Sequence, residues 1–178
     1  MLRDCKPVAE EQGLYETLYR TYRTRVVRLC RLLLHDPAEA DEVAQEVFLK
    51  LFRASKAQTP PGVWEAWLTR VTVNACRDRR RSRWWRWWEG ERVQFEENDF
   101  PSSRLTPEEE AGDREERERV WRLFRALSPR QQEVFVLRYV EEWSGEEVAE
   151  LLGLTSGSVK RHLFHAVHKL RKALGERS

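Results

Sequence analysis

The chain has 178 residues, enough for one domain or two small ones, and its 40% apolar content argues against wholesale disorder. Charged residues make up 35% yet the net charge is only +2, so the balance hides segregated blocks of opposite sign. The three cysteines, Cys5, Cys30 and Cys76, are scattered and form no CxxC, which argues against a disulfide framework or a cysteine-based zinc site and fits a reducing compartment.

Helical spacing runs through nearly the whole chain. Leu14, Leu18, Tyr22, Val26, Leu29 and Leu33 mark a first helix. Asp36-Pro37-Ala38-Glu39 then reads as a cap, with Pro fitting the first turn, and opens a second helix that carries Ala40, Val43, Val47 and Leu51 inward. Thr59-Pro60-Pro61-Gly62 breaks the pattern. A third, long helix follows, with Trp64, Trp67, Leu68, Val71 and Ala75 along one stripe. It runs into an arginine block (Arg77, Arg79, Arg80, Arg81, Arg83, Arg86) and the cluster Trp84-Trp85-Arg86-Trp87-Trp88.

Residues 89–105 lack periodicity, are rich in Glu and Asp, and hold Gly90, Pro101, Ser102 and Ser103, as a linker would. An acidic linker between basic blocks would resist collapse onto nucleic acid. Thr106-Pro107-Glu108-Glu109 repeats the cap signature before a helix whose apolar face is Val120, Leu123, Phe124 and Leu127, and Ser128-Pro129-Arg130-Gln131 repeats it again. Ser144-Gly145-Glu146-Glu147 opens a short helix with Val148, Leu151 and Leu152 on one side. Gly153 supplies a sharp turn, Thr155 or Ser156 can cap the next helix, and Val159, Leu163, Ala166, Leu170 and Leu174 face inward. This is a helix-turn-helix over 145–164, with Lys160 and Arg161 on the first turns of the second helix, where such a helix meets a DNA major groove. The expected fold is all-α: a helical domain over 1–88, an acidic linker over 89–105 and a helix-turn-helix domain over 106–178. No apolar run approaches a membrane span and Met1 to Glu11 lacks a secretion-type apolar core, so a cytoplasmic protein with no membrane part is expected.

Two blocks carry a family likeness. Asp41-Glu42-Val43-Ala44-Gln45-Glu46-Val47-Phe48-Leu49-Lys50-Leu51-Phe52, followed by Trp64 to Arg83, resembles conserved region 2 of bacterial RNA polymerase sigma factors of the extracytoplasmic-function (ECF) class of the sigma-70 family. Leu127-Ser128-Pro129-Arg130-Gln131-Gln132-Glu133-Val134-Phe135, running on to Leu174, resembles their region 4. The resemblance implies a protein that binds core RNA polymerase and directs it to promoters, and that catalyses nothing. It implies that Asp41, Glu42, Gln45, Glu46 and Phe48 dock on the β′ clamp helices, and that Arg70, Asn74, Arg77 and Arg80 meet the melted −10 element. It places a flipped base near the loop from Ser55 to Gly62. Region 4 would grip the β flap and read the −35 element, with Ser156, Ser158, Lys160, Arg161, His162 and His165 as contacts. Many members of the family are held inactive by an anti-sigma protein, so such a partner is expected as well.

Blander readings stand beside these. The exposed charges of the second helix suit an ordinary solvated face with a Glu46–Lys50 pair. Trp64 and Trp67 share the stripe of Leu68 and suit the core. The Trp84–Trp88 cluster departs from the family pattern, and suits a helix end folded back on its domain, an apolar patch for a partner, or a stacking platform for DNA. His162 and His165 stand where relatives commonly carry basic residues, which points to a weaker and pH-dependent phosphate attraction. His162, His165 and His168 recur every three residues but have no carboxylate or thiolate partner nearby in sequence, so no metal is expected, and no cofactor. A stand-alone dimeric helix-turn-helix regulator would explain the C-terminal block but has no use for the exposed Gln45-Glu46 face or the arginine helix. An enzyme acting on nucleic acid finds no clustered carboxylates, glycine loop or nucleophile–base pair here.

Overall fold

A computed structural model describes residues 8–56, 64–88 and 107–175. They form seven helices: α1 (Val8–Leu34), α2 (Pro37–Lys56), α3 (Trp64–Trp88), α4 (Pro107–Arg125), α5 (Pro129–Tyr139), α6 (Gly145–Leu152) and α7 (Ser156–Leu174), with no strand among the described residues. The chain divides into two compact units, residues 1–97 and 98–178. The segment read as an acidic linker, 89–105, lies outside the described residues.

In the first unit, α1 ends as His35 turns into the left-handed region (φ 65). Asp36 then caps α2, its Oδ1 accepting from the backbone N–H of Ala38 (2.9 Å) and Glu39 (3.1 Å), as the sequence signature requires. Leu29 and Leu33 of α1, Val43, Val47 and Leu51 of α2, and Trp64, Leu68 and Val73 of α3 meet in one core. α3 differs from its sequence reading. Trp64, Leu68 and Ala75 are buried, but Trp67 and Val71 are only half-buried, while Thr69, Thr72, Val73 and Cys76 are buried beside them. α3 packs on both α1 and α2, so a wider arc is covered than an apolar stripe describes. The threonines hide there because their hydroxyls are satisfied: Thr72 donates to the Leu68 carbonyl (2.7 Å), and Thr69 accepts from Arg25 (3.2 Å).

In the second unit local signals set the helix ends. Ser128 and Ser144 each form a full capping box, with Gln131 and Glu147 respectively. Gln132, 3% exposed, reaches the carbonyls of Phe124, Arg125 and Leu127 at 3.2 Å each and closes the end of α4. Gly153 sits at φ 64, ψ 42, a conformation that costs any residue with a Cβ, and turns the chain between α6 and α7. Thr155, rather than Ser156, caps α7, its Oγ1 accepting from the Ser158 N–H at 3.1 Å. Val120, expected inward on α4, is 39% exposed; Phe124 and Leu127 carry the buried face instead.

Candidate nucleic-acid and docking interfaces

The alternation of α2 sorts its side chains cleanly. Ala40, Val43, Ala44, Val47 and Leu51 are buried, and Asp41, Glu42, Gln45, Glu46, Leu49 and Lys50 are exposed. Four of the five residues read as a docking face thus share one open side. Phe48 does not: it is 8% exposed, with its ring edge-on to Tyr19 at 4.7 Å. It supports the face from beneath. Two apolar residues join the open side without having been singled out, Leu49 (58% exposed) and Phe52 (36%). Leu49 follows Gln45 by four, so the spacing that placed the polar residues outward places it there too.

The carboxylates of this face are held from the other helices. Asp41 pairs with Arg31 of α1 at 3.4 Å. Glu42 and Glu46 both accept from Arg79 of α3, at 2.6 and 2.8 Å. The Glu46–Lys50 pair of the bland reading gives way to this longer-range contact. The Glu42 hydrogen bond, with the Glu46 bond beside it, outweighs burial and holds the Arg79 proton more firmly than usual. A third tie, Arg25 to Glu65, joins α1 to α3.

On α3, Arg70 and Asn74 are exposed, and Arg77 and Arg80 are half-buried. At about 100° per residue, Arg70, Asn74 and Arg77 fall within one narrow sector. Asp78 pairs with Arg81 at 3.2 Å on the exposed side. Most of the loop from Ser55 to Gly62 lies outside the described residues; Ser55 itself is buried and donates to the Phe52 carbonyl at 2.9 Å. The helix runs through Trp88, but the side chains of the Trp84–Trp88 cluster lie outside the described residues.

On α7, Ser156, Lys160, Arg161 and His165 are exposed, while Ser158 and His162 are half-buried. Ser158 spends its hydroxyl on the cap, accepting from Thr155 Oγ1 at 3.0 Å. His162 has its pKa lowered, first by burial and then by Arg161, Arg130 and His165, with Glu133 opposing, so its neutral form is favoured. Phe164, 65% exposed, stands four residues after Lys160 on the same outward side. His168 stacks on its ring (5.9 Å, 10°) and His165 meets it edge-on (5.7 Å, 73°). The histidines therefore line an aromatic ridge. An exposed aromatic on the outward stripe of α7 was the legible signal for Phe164.

Two family models match the chain. Residues 18–86 match the family Sigma-70 region 2, and residues 117–170 match Sigma-70, region 4. The RNA polymerase sigma-E factor of Streptomyces avermitilis is 30% identical over 92% of this chain and 86% of its own. The ECF RNA polymerase sigma factor SigW of Bacillus subtilis is 24% identical over 92% and 90%. Among solved structures, the sigma factor RpoE of Bartonella quintana, crystallised with the anti-sigma factor NepR, shares the fold. Its TM-score is 0.67 at 17% identity, covering 92% of this chain and 98% of that one.

Proposed function

Since the chain belongs to the ECF class of the sigma-70 family, we propose that it carries core RNA polymerase to specific promoters through three separate surfaces. It is a sigma factor for transcription initiation, and its contribution is recognition rather than bond-making chemistry. The observation that carries this reading is the first unit. A helix-turn-helix alone serves any DNA-binding regulator, but α2 and α3 add an open acidic and glutamine face and an arginine stripe that a dimeric regulator has no use for.

In this reading Asp41, Glu42, Gln45 and Glu46, with Leu49 and Phe52 beside them and Phe48 as support, dock on the β′ clamp helices. An apolar pair among charges gives such a face area to bury as well as orientation. Arg70, Asn74, Arg77 and Arg80 meet the −10 strand, the guanidinium groups on phosphates and the amide on an unstacked base. The second unit grips the β flap and lays α7 into the major groove at the −35 element. There Ser156, Lys160 and Arg161 meet phosphates and base edges, and Ser158, His162, His165 and Phe164 complete the face, with the Phe164 ring suited to a thymine methyl. The division into a domain over 1–88, a linker over 89–105 and a domain over 106–178 fits these tasks. The site of action is the cytoplasm, where the polymerase works; among the described residues no helix is long and apolar enough to cross a membrane. An anti-sigma protein that masks these faces is the expected regulator.

The test is reconstitution with purified core polymerase, followed by initiation on DNA upstream of the chain's own gene. A variant carrying Asp41→Ala and Gln45→Ala, which leaves Arg79 and its two carboxylates intact, is run alongside. Co-elution and initiation, both weakened in the variant, support the reading. Absence of core binding together with tight duplex binding by a dimer of the chain alone would replace it with the stand-alone regulator.

A further inference from the structure

Arg79 is a half-buried charge at the end of the packed face of α3. Leu68, Thr72 and Ala75 are buried on α3, and steps of four, three and four carry the same face on to Arg79. The Arg79 side chain is 18% exposed. A guanidinium cannot shed its proton to escape that setting, so the half-buried charge needs partners, although those it finds, Glu42 and Glu46, are themselves 65% and 52% exposed. Two carboxylates from α2, 37 and 33 residues away in sequence, resolve the problem: Nη1 donates to Glu42 Oε2 and Nη2 to Glu46 Oε1. Glu42 and Glu46 lie one turn apart, a spacing that the planar fork of an arginine can straddle and a lysine cannot. Round the helix, at about 100° per residue, Arg79 lies roughly opposite Arg70, Asn74 and Arg77. One side of α3 is therefore anchored by charge to α2, and the other side carries the arginine and asparagine stripe.

We propose that Arg79 is a positioning residue, whose bridge to Glu42 and Glu46 fixes the C-terminal half of α3 and so sets where the Arg70–Asn74–Arg77 stripe meets the −10 strand. The proposal rests on the sigma-factor reading. It gives Glu42 and Glu46 an internal task beside docking: removing either takes away a docking group together with a tie, whereas removing Arg79 takes away the tie and leaves both carboxylates on the open face.

The test uses holoenzyme assembled from core polymerase and the full chain carrying Arg79→Gln or, separately, Arg79→Met, whose flexible apolar stem suits a core position and keeps the test open if the glutamine variant does not fold. Two quantities are measured. One is affinity for core. The other is the ratio of affinities for forked promoter DNA, selected from a random library by the wild-type holoenzyme, and for the same fork with its −10 strand scrambled. Both variants should bind core within about threefold of wild type, and the discrimination ratio should fall about tenfold or more. Arg79→Lys, which can hold one carboxylate, should recover part of the loss. Unchanged discrimination in the variants would overturn the proposal, as would core affinity falling in step with discrimination, because Arg79 would then act on the docking face alone. Failure of the wild-type chain to bind core would instead overturn the function from which the proposal starts.

Discussion

The two units reach the same all-helical architecture by different means. In the second, the ties that define the ends of α5, α6 and α7 span three or four residues: the Ser128 and Ser144 boxes, the Thr155 cap and the left-handed Gly153. Its long-range polar ties run from a side chain to a helix-end carbonyl, Arg119 to Ala173 across 54 residues and Lys169 to Ala126 across 43. In the first, the long-range ties pair side chain with side chain: Arg25 to Glu65 across 40 residues and Arg79 to Glu42 and Glu46 across 37 and 33. The difference teaches where a residue's role can be separated from its structural duty. On α7, Lys160 and Arg161 point outward and are replaceable without disturbing a cap. On α2, the carboxylates that present the open face also anchor a neighbouring helix.

The sharpest way to break that comparison is to damage one core at a time. Leu51 and Leu137 are both fully buried, one in each unit. Leu51→Ala and Leu137→Ala should each cost about 2–5 kcal/mol. Amide hydrogen exchange should show lost protection confined to the unit that carries the change. Loosening of both units by either substitution would mean that the division into separate cores is wrong. Next in size is Gly153→Ala. Nothing lies within 4 Å of the added Cβ, so the cost is that of the left-handed backbone alone, about 1–2 kcal/mol. Duplex −35 binding should weaken while core binding through the first unit holds. A variant as stable as wild type would show that the turn relaxes.

The same contrast governs what could be read beforehand. The caps at Asp36, Ser128 and Ser144 were legible because the donor and acceptor lie within three residues, and the outward side of α2 because apolar spacing fixes a helix face. The buried arc of α3 was not, since Thr69 and Thr72 look polar until Arg25 and the Leu68 carbonyl are seen to satisfy them. Arg79 read as one more member of an arginine block. Its place on the packed face follows from Ala75 four residues before it, but its partners depend on where α2 lies, which no local pattern states. Phe164 and Leu49 are intermediate: their outward placement follows from spacing, but an exposed apolar residue gains meaning only once its neighbours are placed.

Acid gives a smaller and more pointed test, in which two groups of the second unit respond on different ranges. Backbone hydrogen bonding from Ser144 lowers the pKa of Glu147 below the usual carboxylate value. Its stabilising effect is therefore full above the ordinary glutamate range and lost as pH falls through the lowered value. Burial lowers the pKa of His162, so the stability tied to its neutral form is full above the ordinary histidine range and declines as pH falls through the lowered value. A DNA phosphate near His162 would favour the protonated ring. Promoter affinity should then rise as pH drops from about 8 to about 6, in the range where free second-unit stability begins to decline. His162→Gln should flatten the affinity change and Glu147→Gln should not. A flat wild-type profile would remove His162 from the phosphate contacts.

The smallest expected effect compares one strained residue in each unit. His35 (φ 65) and Glu142 (φ 59) both hold a left-handed backbone with a Cβ. Glycine relieves that strain but adds freedom to the unfolded chain, leaving a gain of about 0.5–1 kcal/mol where the side chain contributes little. Glu142 is exposed, so Glu142→Gly should show this gain as a raised melting midpoint for the second unit. His35 is half-buried at the joint of α1 and α2 and engaged with its neighbours. His35→Gly therefore loses contacts along with strain, and should come out neutral or destabilising. The second unit would then tolerate idealisation of its turn, and the first, where the strained residue is engaged with its neighbours, would not. Equal gains at both positions would mean that the His35 side chain is as dispensable as that of Glu142, and that the long-range ties of the first unit stop short of its first joint.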